Sequence, residues 1–341
     1  MNGVSVIICC YNSSSRIVPT LEHLLKQKVS DNISWEVVIV NNASKDDTVE
    51  AAKEIWKRNQ VTIPLSMVEQ PIPGLSYARE KGIEKSTYEY LLFCDDDNWL
   101  DENYVSNVFN IMKENECIGA LGGQGIPYFE TDPPKSILKY ACTYATGPQG
   151  AGTGEVGYPL VYGAGCTYRK SAILKLFNSG FKYQLTGRSG NVLMCGEDHE
   201  LCYALFLSGY KIWASDTLTF YHFIPKSRIS VEYVKRNILG ISLSSFVLLT
   251  YKLLIANEER ERPQYKSKWE WLVMVKGIFL VKNYFKTNKK DELLKFQLKA
   301  EQQSFSFLLR NRKLFNETFT SLSASKWISK GKNRDLMVNP I

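Results

Sequence analysis

The stretch YLLFCDDDNWL, residues 90–100, joins an apolar run directly to three consecutive aspartates. A short apolar run of this kind is typical of a strand that is covered on both faces. The aspartates therefore follow the end of a buried strand, although neighbouring carboxylates repel one another and resist the loss of water. The run is either a turn that stays hydrated or a site that holds a cation together with an anionic ligand.

The chain on both sides of this stretch alternates between apolar runs and helical patterns. Apolar runs occupy residues 4–12 and 35–42, and a third run at residues 61–69 is interrupted by Pro64, which favours a strand at the edge of a sheet. Alternation with short connections over the first 125 residues predicts an α/β fold whose mainly parallel central sheet is flanked by helices.

Polar clusters follow three of the predicted strands, as CYN, NNAS and DDD. Ligands in such sheets bind beyond the carboxyl ends of the strands, so we expect these clusters to meet in one cleft. On an extended backbone Asp95 and Asp97 would point the same way and share one hard cation, whereas Asp96 would point elsewhere. Carboxylates suit Mg²⁺ or Mn²⁺, and water or phosphate oxygens would complete the coordination shell.

Charge and composition divide the chain into two parts. Residues 1–225 carry 19 Lys and Arg against 25 Asp and Glu, whereas residues 226–341 carry 23 against 10. We predict one domain at 1–225, whose first part, 1–125, holds the alternating strands and helices and whose second part, 126–225, contains a stretch rich in Gly, Pro and Tyr. Residues 226–341 are predicted to be a basic, largely helical extension that meets an anionic surface.

Five stretches occur in a recognisable order and spacing: VSVIICCYN, VVIVNNASKDDT, GLSYAREKGI, LLFCDDDNWL and GEDHEL. In these stretches, over residues 4–225, the chain resembles the family-2 glycosyltransferases, which have the GT-A fold. The resemblance implies a nucleotide-sugar donor, a divalent cation and an inverting displacement at the anomeric carbon. It also implies that residues 1–225 are the catalytic domain, with a nucleotide-binding half at 1–125 and an acceptor-binding half at 126–225.

The resemblance also implies roles for the donor-side residues. Asp95 and Asp97 would hold the metal, Asp96 would lie near the ribose or the sugar of the donor, and Tyr11 would pack on the nucleobase. Asn41 stands where the family usually has an aspartate that binds the base. The resemblance makes a UDP-sugar the expected donor. Because an amide both accepts and donates hydrogen bonds, guanine and thymine nucleotides stay open as well.

A second set of residues is expected around the phosphates and the acceptor. Arg79 follows the third strand, where a cation would meet phosphate or base. In the family the aspartate of the GED motif is the general base, which here is Asp198, and Glu197 would bind or orient acceptor hydroxyls. His222 matches a position that several family members use as a third metal ligand, and an imidazole beside two carboxylates suits Mn²⁺.

The C-terminal extension allows two interpretations. Residues 268–286 mix tryptophans and aliphatic residues with lysines, as in a helix that lies on anionic lipid, and packing on the catalytic domain or on a second subunit is the alternative. The longest uncharged apolar stretch, residues 237–251, is shorter than the roughly 20 residues of a membrane-spanning helix. With no signal peptide recognised, we expect a cytoplasmic protein, peripheral on the inner face of the plasma membrane.

These observations predict a metal-dependent inverting glycosyltransferase of surface polysaccharide synthesis. Its acceptor would be a saccharide or a lipid-linked saccharide. A related protein that binds saccharide or nucleotide without turnover is the alternative. A dehydrogenase is disfavoured because CCYNSSSR, after the first strand, lacks the glycines of a dinucleotide-binding turn. Nucleic acid is not expected as a partner, because no nucleic-acid-binding motif accompanies the basic extension.

Overall fold

The computed structural model describes residues 1–60, 62–185, 187, 195–258, 268–286 and 291–328. The strands of the described residues are β1 (Val4–Cys10), β2 (Trp35–Asn41), β3 (Leu65–Glu69), β4 (Tyr90–Phe93), β5 (Asn98–Leu100), β6 (Ile118–Phe129), β7 (Gly154–Glu155), β8 (Thr167–Arg169) and β9 (Lys211–Ile224). The helices are α1 (Ser14–Leu25), α2 (Thr48–Arg58), α3 (Leu75–Lys85), α4 (Tyr104–Glu114), α5 (Lys135–Leu138), α6 (Lys170–Asn178), α7 (Glu197–Leu207), α8 (Val231–Glu258), α9 (Lys268–Lys286), α10 (Glu292–Arg310) and α11 (Arg312–Ser323).

The strands form one sheet in the order β3-β2-β1-β4-β8-β6-β9-β5, and β7 pairs with β9. Strands β1 to β4 run parallel, β8 runs against β4 and β6, and β6 and β9 run parallel to each other. Strands β1–β4, β6 and β9 therefore point the same way, which confirms the mainly parallel α/β prediction. Strand β3 lies at an edge of the sheet, as the position of Pro64 predicts.

The two faces of the sheet are both covered by helices. Alternate residues of β1 enter different cores: Val6 and Ile8 pack with α1, α2 and α4, whereas Ile7 packs with α3, α6 and α7. All three side chains are completely buried. Burial on both faces explains why the sequence of this strand is continuously apolar instead of alternating.

Helices α8 and α11 share a core with the helices and strands of the first 225 residues. Tyr251 of α8 is completely buried in the same cluster as residues of β1 and α7, and its hydroxyl donates to Glu200 Oε1 at 2.9 Å. The Glu200 carboxylate also accepts the backbone N–H groups of Gln184 and Leu185. One buried carboxylate thus joins α7, α8 and the loop before α7. The domain boundary near residue 225 stays a prediction.

Among the described residues, one helix is long and apolar enough to cross a membrane. It is the segment Val231–Ala256 of α8, whose most apolar 18 residues have a mean hydropathy of 1.9. The segment is longer than the uncharged 15-residue stretch at residues 237–251 because it includes charged residues on both sides of that stretch. Half of the most apolar part of this segment is buried inside the protein. The core helix of a globular protein has the same character, so the segment is weak evidence for a membrane span.

The hydrogen bond between Tyr251 and Glu200 predicts a pH-dependent stability. Burial raises the pKa of Glu200 from 4.5 to about 7, so the folded state binds the carboxyl proton more tightly than the unfolded state does. The free energy of unfolding therefore falls as pH rises from about 4.5 to about 7. We expect Tyr251→Phe to lower the free energy of unfolding by about 1–3 kcal/mol, and more at pH above 7, where the carboxylate is ionised.

Urea unfolding on either side of the Glu200 pKa measures this effect. Tyr221→Phe is the matched control, because Tyr221 is exposed and should change stability little at either pH. Equal effects of the two substitutions would show that the buried hydrogen bond does not hold α8 on α7.

Candidate active site

A cavity of about 620 Å³ opens where β1 and β4 end. It is lined by eight of the nine side chains that the sequence predicts for the site: Tyr11, Arg79, Asp95, Asp96, Asp97, Glu197, Asp198 and His222. These residues come from the ends of β1 and β4, from α3, from the start of α7 and from β9. Their meeting in one cavity agrees with the rule that ligands bind at the carboxyl ends of parallel strands.

Asn41, the ninth predicted residue, does not line the cavity. Its side-chain amide donates to Glu69 Oε2 at 2.9 Å, and its carbonyl oxygen accepts the backbone N–H of Ser44. The next residue, Asn42, does line the cavity, where its Oδ1 accepts the Gly74 N–H at 2.8 Å. The structure therefore brings Asn42, which the sequence did not single out, to the cavity wall.

The three aspartates lie in a tight turn between β4 and β5. The backbone N–H of Asn98 donates to the Asp95 carbonyl at 3.0 Å, and the Asp95 N–H donates to Asn98 Oδ1 at 3.1 Å. Asn98 is completely buried and pairs with His222 across β5 and β9. The backbone is thus not extended, so the two-residue spacing is no longer a reason for Asp95 and Asp97 to point the same way, and their sharing of a cation stays a prediction.

Asp96 points away from its neighbours towards α1, as predicted. Its carboxylate accepts from the Ser13 hydroxyl and from Arg16, whose Nη2 lies 2.9 Å from Asp96 Oδ2. Burial and the charge of Asp97 raise the pKa of Asp96, whereas Arg16 opposes that rise. Arg16 also lines the cavity, so the Asp96–Arg16 pair places a cation beside the aspartate turn.

Asp97 is buried between His222, which belongs to β9, and Arg228, which follows β9. Its Oδ2 lies 2.7 Å from Arg228 Nη1, and its Oδ1 lies 3.4 Å from His222 Nε2. Burial alone would raise the pKa of Asp97, but His222 and Arg228 outweigh it and lower the pKa below its usual value. Asp97 is therefore a buried anion whose charge is compensated by the segment after β9.

Asp95, Asp97 and His222 have side chains of the kinds that bind a metal ion, but the structure does not arrange them as a complete coordination site. Carboxylates and an imidazole suit Mn²⁺ or Mg²⁺, and His222 Nδ1 is buried with no hydrogen-bond partner among the described residues. However, the described residues include no group of three or more His, Cys, Asp or Glu side chains placed to hold a metal. Their chemistry suits a hard cation, and any further ligands of such a cation would have to come from outside the described side chains.

Arg79 lies beside the start of α7 at the cavity wall. Its Nη1 is 3.1 Å from Glu197 Oε1, and its guanidinium lies over the Phe93 ring at 5.5 Å. Both partners of this ion pair are nearly inaccessible to solvent. Arg79 thus fixes the start of α7, and its predicted contact with phosphate or base stays a prediction.

Asp198 is held at the cavity wall by backbone groups. Its Oδ2 accepts the Gly163 N–H at 2.7 Å, and its Oδ1 accepts the His199 N–H at 2.8 Å. Burial would raise the pKa of Asp198, but His199, Arg79 and these two N–H groups lower it overall. A side-chain carbon at Gly163 would lie 2.7 Å from Arg79 Nη2, so the guanidinium of Arg79 would have to move to accommodate it. The result is an ionised carboxylate that faces the cavity.

Two cations of the cavity, Arg16 and Arg228, were not predicted from the sequence. Arg228 is held by its own backbone, because the Tyr144 hydroxyl donates to the Arg228 carbonyl at 2.9 Å and the Tyr144 ring stacks on Tyr233 of α8. Their signal in the sequence is weak: each is a basic residue a few positions beyond a strand that ends at the cleft. The start of the C-terminal region therefore completes one wall of the cavity.

Comparisons with known proteins identify the relatives of this fold and site. A poly-beta-1,6-N-acetyl-D-glucosamine synthase of Staphylococcus epidermidis is 28% identical over 123 residues, which are 36% of this chain and 28% of that protein. The putative glycosyltransferase EpsH of Bacillus subtilis (strain 168) is 35% identical over 106 residues, which are 31% of this chain and 29% of that protein. The chain thus matches less than a third of the length of either relative.

Two solved structures resemble the whole chain. Staphylococcus aureus TarS 1–349 in complex with UDP has a TM-score of 0.50 at 16% identity, covering 92% of this chain and 91% of that one. The mannosyltransferase PcManGT from Pyrobaculum calidifontis, in complex with GDP-Man and Mn²⁺, has a TM-score of 0.54 at 15% identity, covering 98% and 84%. At these identities the likeness concerns the fold, and it confirms the predicted GT-A architecture with a helical C-terminal region.

The family model described as glycosyl transferase family 2 matches residues 5–177. This range runs from β1 into α6 and includes the turn with the three aspartates. Because it covers just over half of the 341 residues, the chain belongs to glycosyl transferase family 2.

Proposed function

We propose that this protein is an inverting glycosyltransferase that moves a sugar from a nucleotide-diphosphate donor to a saccharide hydroxyl. The observation that carries this proposal is the ionised Asp198 facing the same cavity as the turn of three aspartates. A displacement of this kind needs a base on one side of the sugar and charge compensation for the leaving diphosphate on the other. A protein that binds saccharide without turnover is the alternative, and the turnover of Asp198→Asn separates the two.

The donor side of the cavity would bind the nucleotide diphosphate. Tyr11 is half exposed at the end of β1, where it is available to stack on a base, and Asn42, which lines the cavity, is the first candidate for the polar contacts of that base. The contact expected of Asn41 would require its amide to leave Glu69. Arg16 and Arg228 bring two guanidinium groups close to the aspartate turn, and guanidinium groups bind phosphate oxygens in a bidentate manner.

We propose Asp95, Asp97 and His222 as the protein ligands of Mn²⁺ or Mg²⁺, which would supply charge neutralisation on the departing diphosphate. In the structure Asp97 is paired with Arg228. A diphosphate that enters the cavity would compete with Asp97 for this arginine. Transfer of Arg228 to the phosphate would leave Asp97 available as a ligand.

The acceptor side would be built around Asp198. An acceptor hydroxyl would lose its proton to Asp198 while its oxygen bonds to the anomeric carbon and the bond from that carbon to the diphosphate breaks. Attack from the face opposite the diphosphate inverts the configuration. Glu197 lies beside Asp198 and is paired with Arg79, so this pair would orient acceptor hydroxyls and keep α7 in place.

The donor and the acceptor are proposed from the relatives. The neighbouring structures hold UDP, UDP-GlcNAc and GDP-Man, which supports a nucleotide-sugar, and a UDP-sugar is our first candidate. One relative is named as a polysaccharide synthase, which supports a saccharide or lipid-linked saccharide acceptor in surface polysaccharide synthesis. An enzyme that uses a lipid-linked acceptor would work at the cytoplasmic face of the plasma membrane.

The role of Asp198 predicts a loss of turnover with donor binding kept. We expect Asp198→Asn to lower kcat by about 10²–10⁴-fold, because the amide cannot take the proton. Because the pKa of Asp198 is lowered below 3.8, this base should not limit kcat anywhere in the neutral pH range. Donor hydrolysis and transfer assays with UDP-sugars measure both effects, and Asp132→Asn, on an exposed loop, is the control. Wild-type kcat in Asp198→Asn would remove this residue from the mechanism.

The aspartate turn predicts a metal-dependent binding of nucleotide. At ligand concentrations 100 times the Kd, UDP with Mn²⁺ should stabilise the wild-type protein by about 2.7 kcal/mol. Asp95→Asn and Asp97→Asn should each lose the part of this stabilisation that depends on Mn²⁺. Thermal unfolding with UDP, GDP, dTDP and CMP, each with and without Mn²⁺, measures it and selects the nucleotide. Stabilisation by UDP that is the same without Mn²⁺ in all three proteins would contradict the metal proposal.

A further inference from the structure

Helix α9 presents an apolar surface to the outside of the protein. Seven large side chains on this helix are between 40% and 81% exposed, and we call them the α9 apolar face: Met274, Val275, Ile278, Phe279, Val281, Tyr284 and Phe285. Met274, Ile278, Val281 and Phe285 recur at intervals of three or four residues, so they lie in one line along the helix. A monomeric soluble protein rarely exposes so many neighbouring apolar side chains without a partner for them.

The inward side of the same helix carries polar groups. Lys276 Nζ lies 2.9 Å from Ser304 Oγ of α10 and 3.4 Å from Ser245 Oγ of α8, and burial lowers the pKa of Lys276 to about 8. The Asn283 side chain donates to Glu301 on α10. Leu272 and Leu280 are buried beside these groups.

This arrangement is the reverse of what water favours. A surface helix of a soluble protein normally turns its charged residues to solvent and its apolar residues to the core. Here a lysine is drawn inside and phenylalanine, isoleucine and methionine are turned outside. The outer surroundings of α9 are therefore expected to be less polar than water.

Basic residues border the α9 apolar face. Lys282 is exposed within it, and the Arg312 guanidinium lies over the Trp269 ring at 5.0 Å near the start of the helix. The whole region 226–341 carries 23 Lys and Arg against 10 Asp and Glu. Apolar side chains with a tyrosine and bordering cations are the composition of a helix that lies in the interface of an anionic bilayer.

We propose that the α9 apolar face docks this protein on an anionic membrane surface, with α9 lying along the headgroup region. A second copy of the chain fits the face less well, because a symmetric dimer would bring two strongly basic regions together. The value of docking for the reaction rests on the proposed function: an enzyme on the membrane surface would meet a lipid-linked acceptor there. The docking itself does not depend on which sugar is transferred.

Co-flotation of the full chain with vesicles of equal parts phosphatidylcholine and phosphatidylglycerol tests the proposal. The wild-type protein should float with these vesicles, and Ile278→Glu combined with Phe285→Glu should weaken binding at least about tenfold, since both changes replace buried apolar area with a charge. Leu314→Glu, an exposed apolar position on α11 outside the face, is the matched control and should bind as the wild type does. Added salt should weaken the binding of all three proteins.

Further measurements separate docking from folding and from catalysis. Melting temperature and stabilisation by UDP in the double variant should equal those of the wild type, because both substituted side chains point away from the core. A wild-type protein that does not float, or a double variant that floats equally well, overturns the docking proposal and leaves the proposed transferase reaction standing. A dimer in light scattering without lipid, lost in the double variant, would assign the face to a second copy instead.

Discussion

The site depends on the compensation of one buried charge, that of Asp97. The carboxylate is only 3% exposed, and an unpaired anion at that depth would cost several kcal/mol. Arg228 at 2.7 Å and His222 at 3.4 Å supply the compensation, while Arg16 does the same for the neighbouring Asp96. The turn of like charges stays folded because each of these two charges is paired with a different part of the chain.

This compensation joins the donor side of the cavity to the C-terminal region. Arg228 follows β9, and its backbone is held by Tyr144, whose ring stacks on Tyr233 at the start of α8. Tyr251 of the same helix donates to Glu200 of α7. Helix α8 therefore supports Arg228 through Tyr233 and packs on α7 through Tyr251, and α9 shares an apolar cluster with it. Placement on a membrane and positioning of the site would then be properties of one structure.

The sequence predicts the frame of this protein better than the details of its site. The continuous apolar runs predict the parallel strands, because a strand that is buried on both faces needs apolar residues at every position. Pro64 predicts the edge strand, because a proline has no N–H to donate to a neighbouring strand. The two-residue spacing of Asp95 and Asp97 does not predict where Asp97 points, because hydrogen bonds between Asp95 and Asn98 close this segment into a turn. Arg16, Arg228 and Asn42 reach the cavity through contacts between distant segments, which no local pattern records. Residues 188–194, next to the GED motif, lie outside the described residues.

The most direct test of whether Asp97 exchanges Arg228 for a metal ion uses crystals of the full chain grown with UDP and Mn²⁺, with data collected at the manganese absorption edge. We expect an anomalous peak between the Asp97 carboxylate and the diphosphate, with the Arg228 guanidinium moved from Asp97 onto a phosphate oxygen. Bound UDP with no manganese peak, and Arg228 still paired with Asp97, would contradict it.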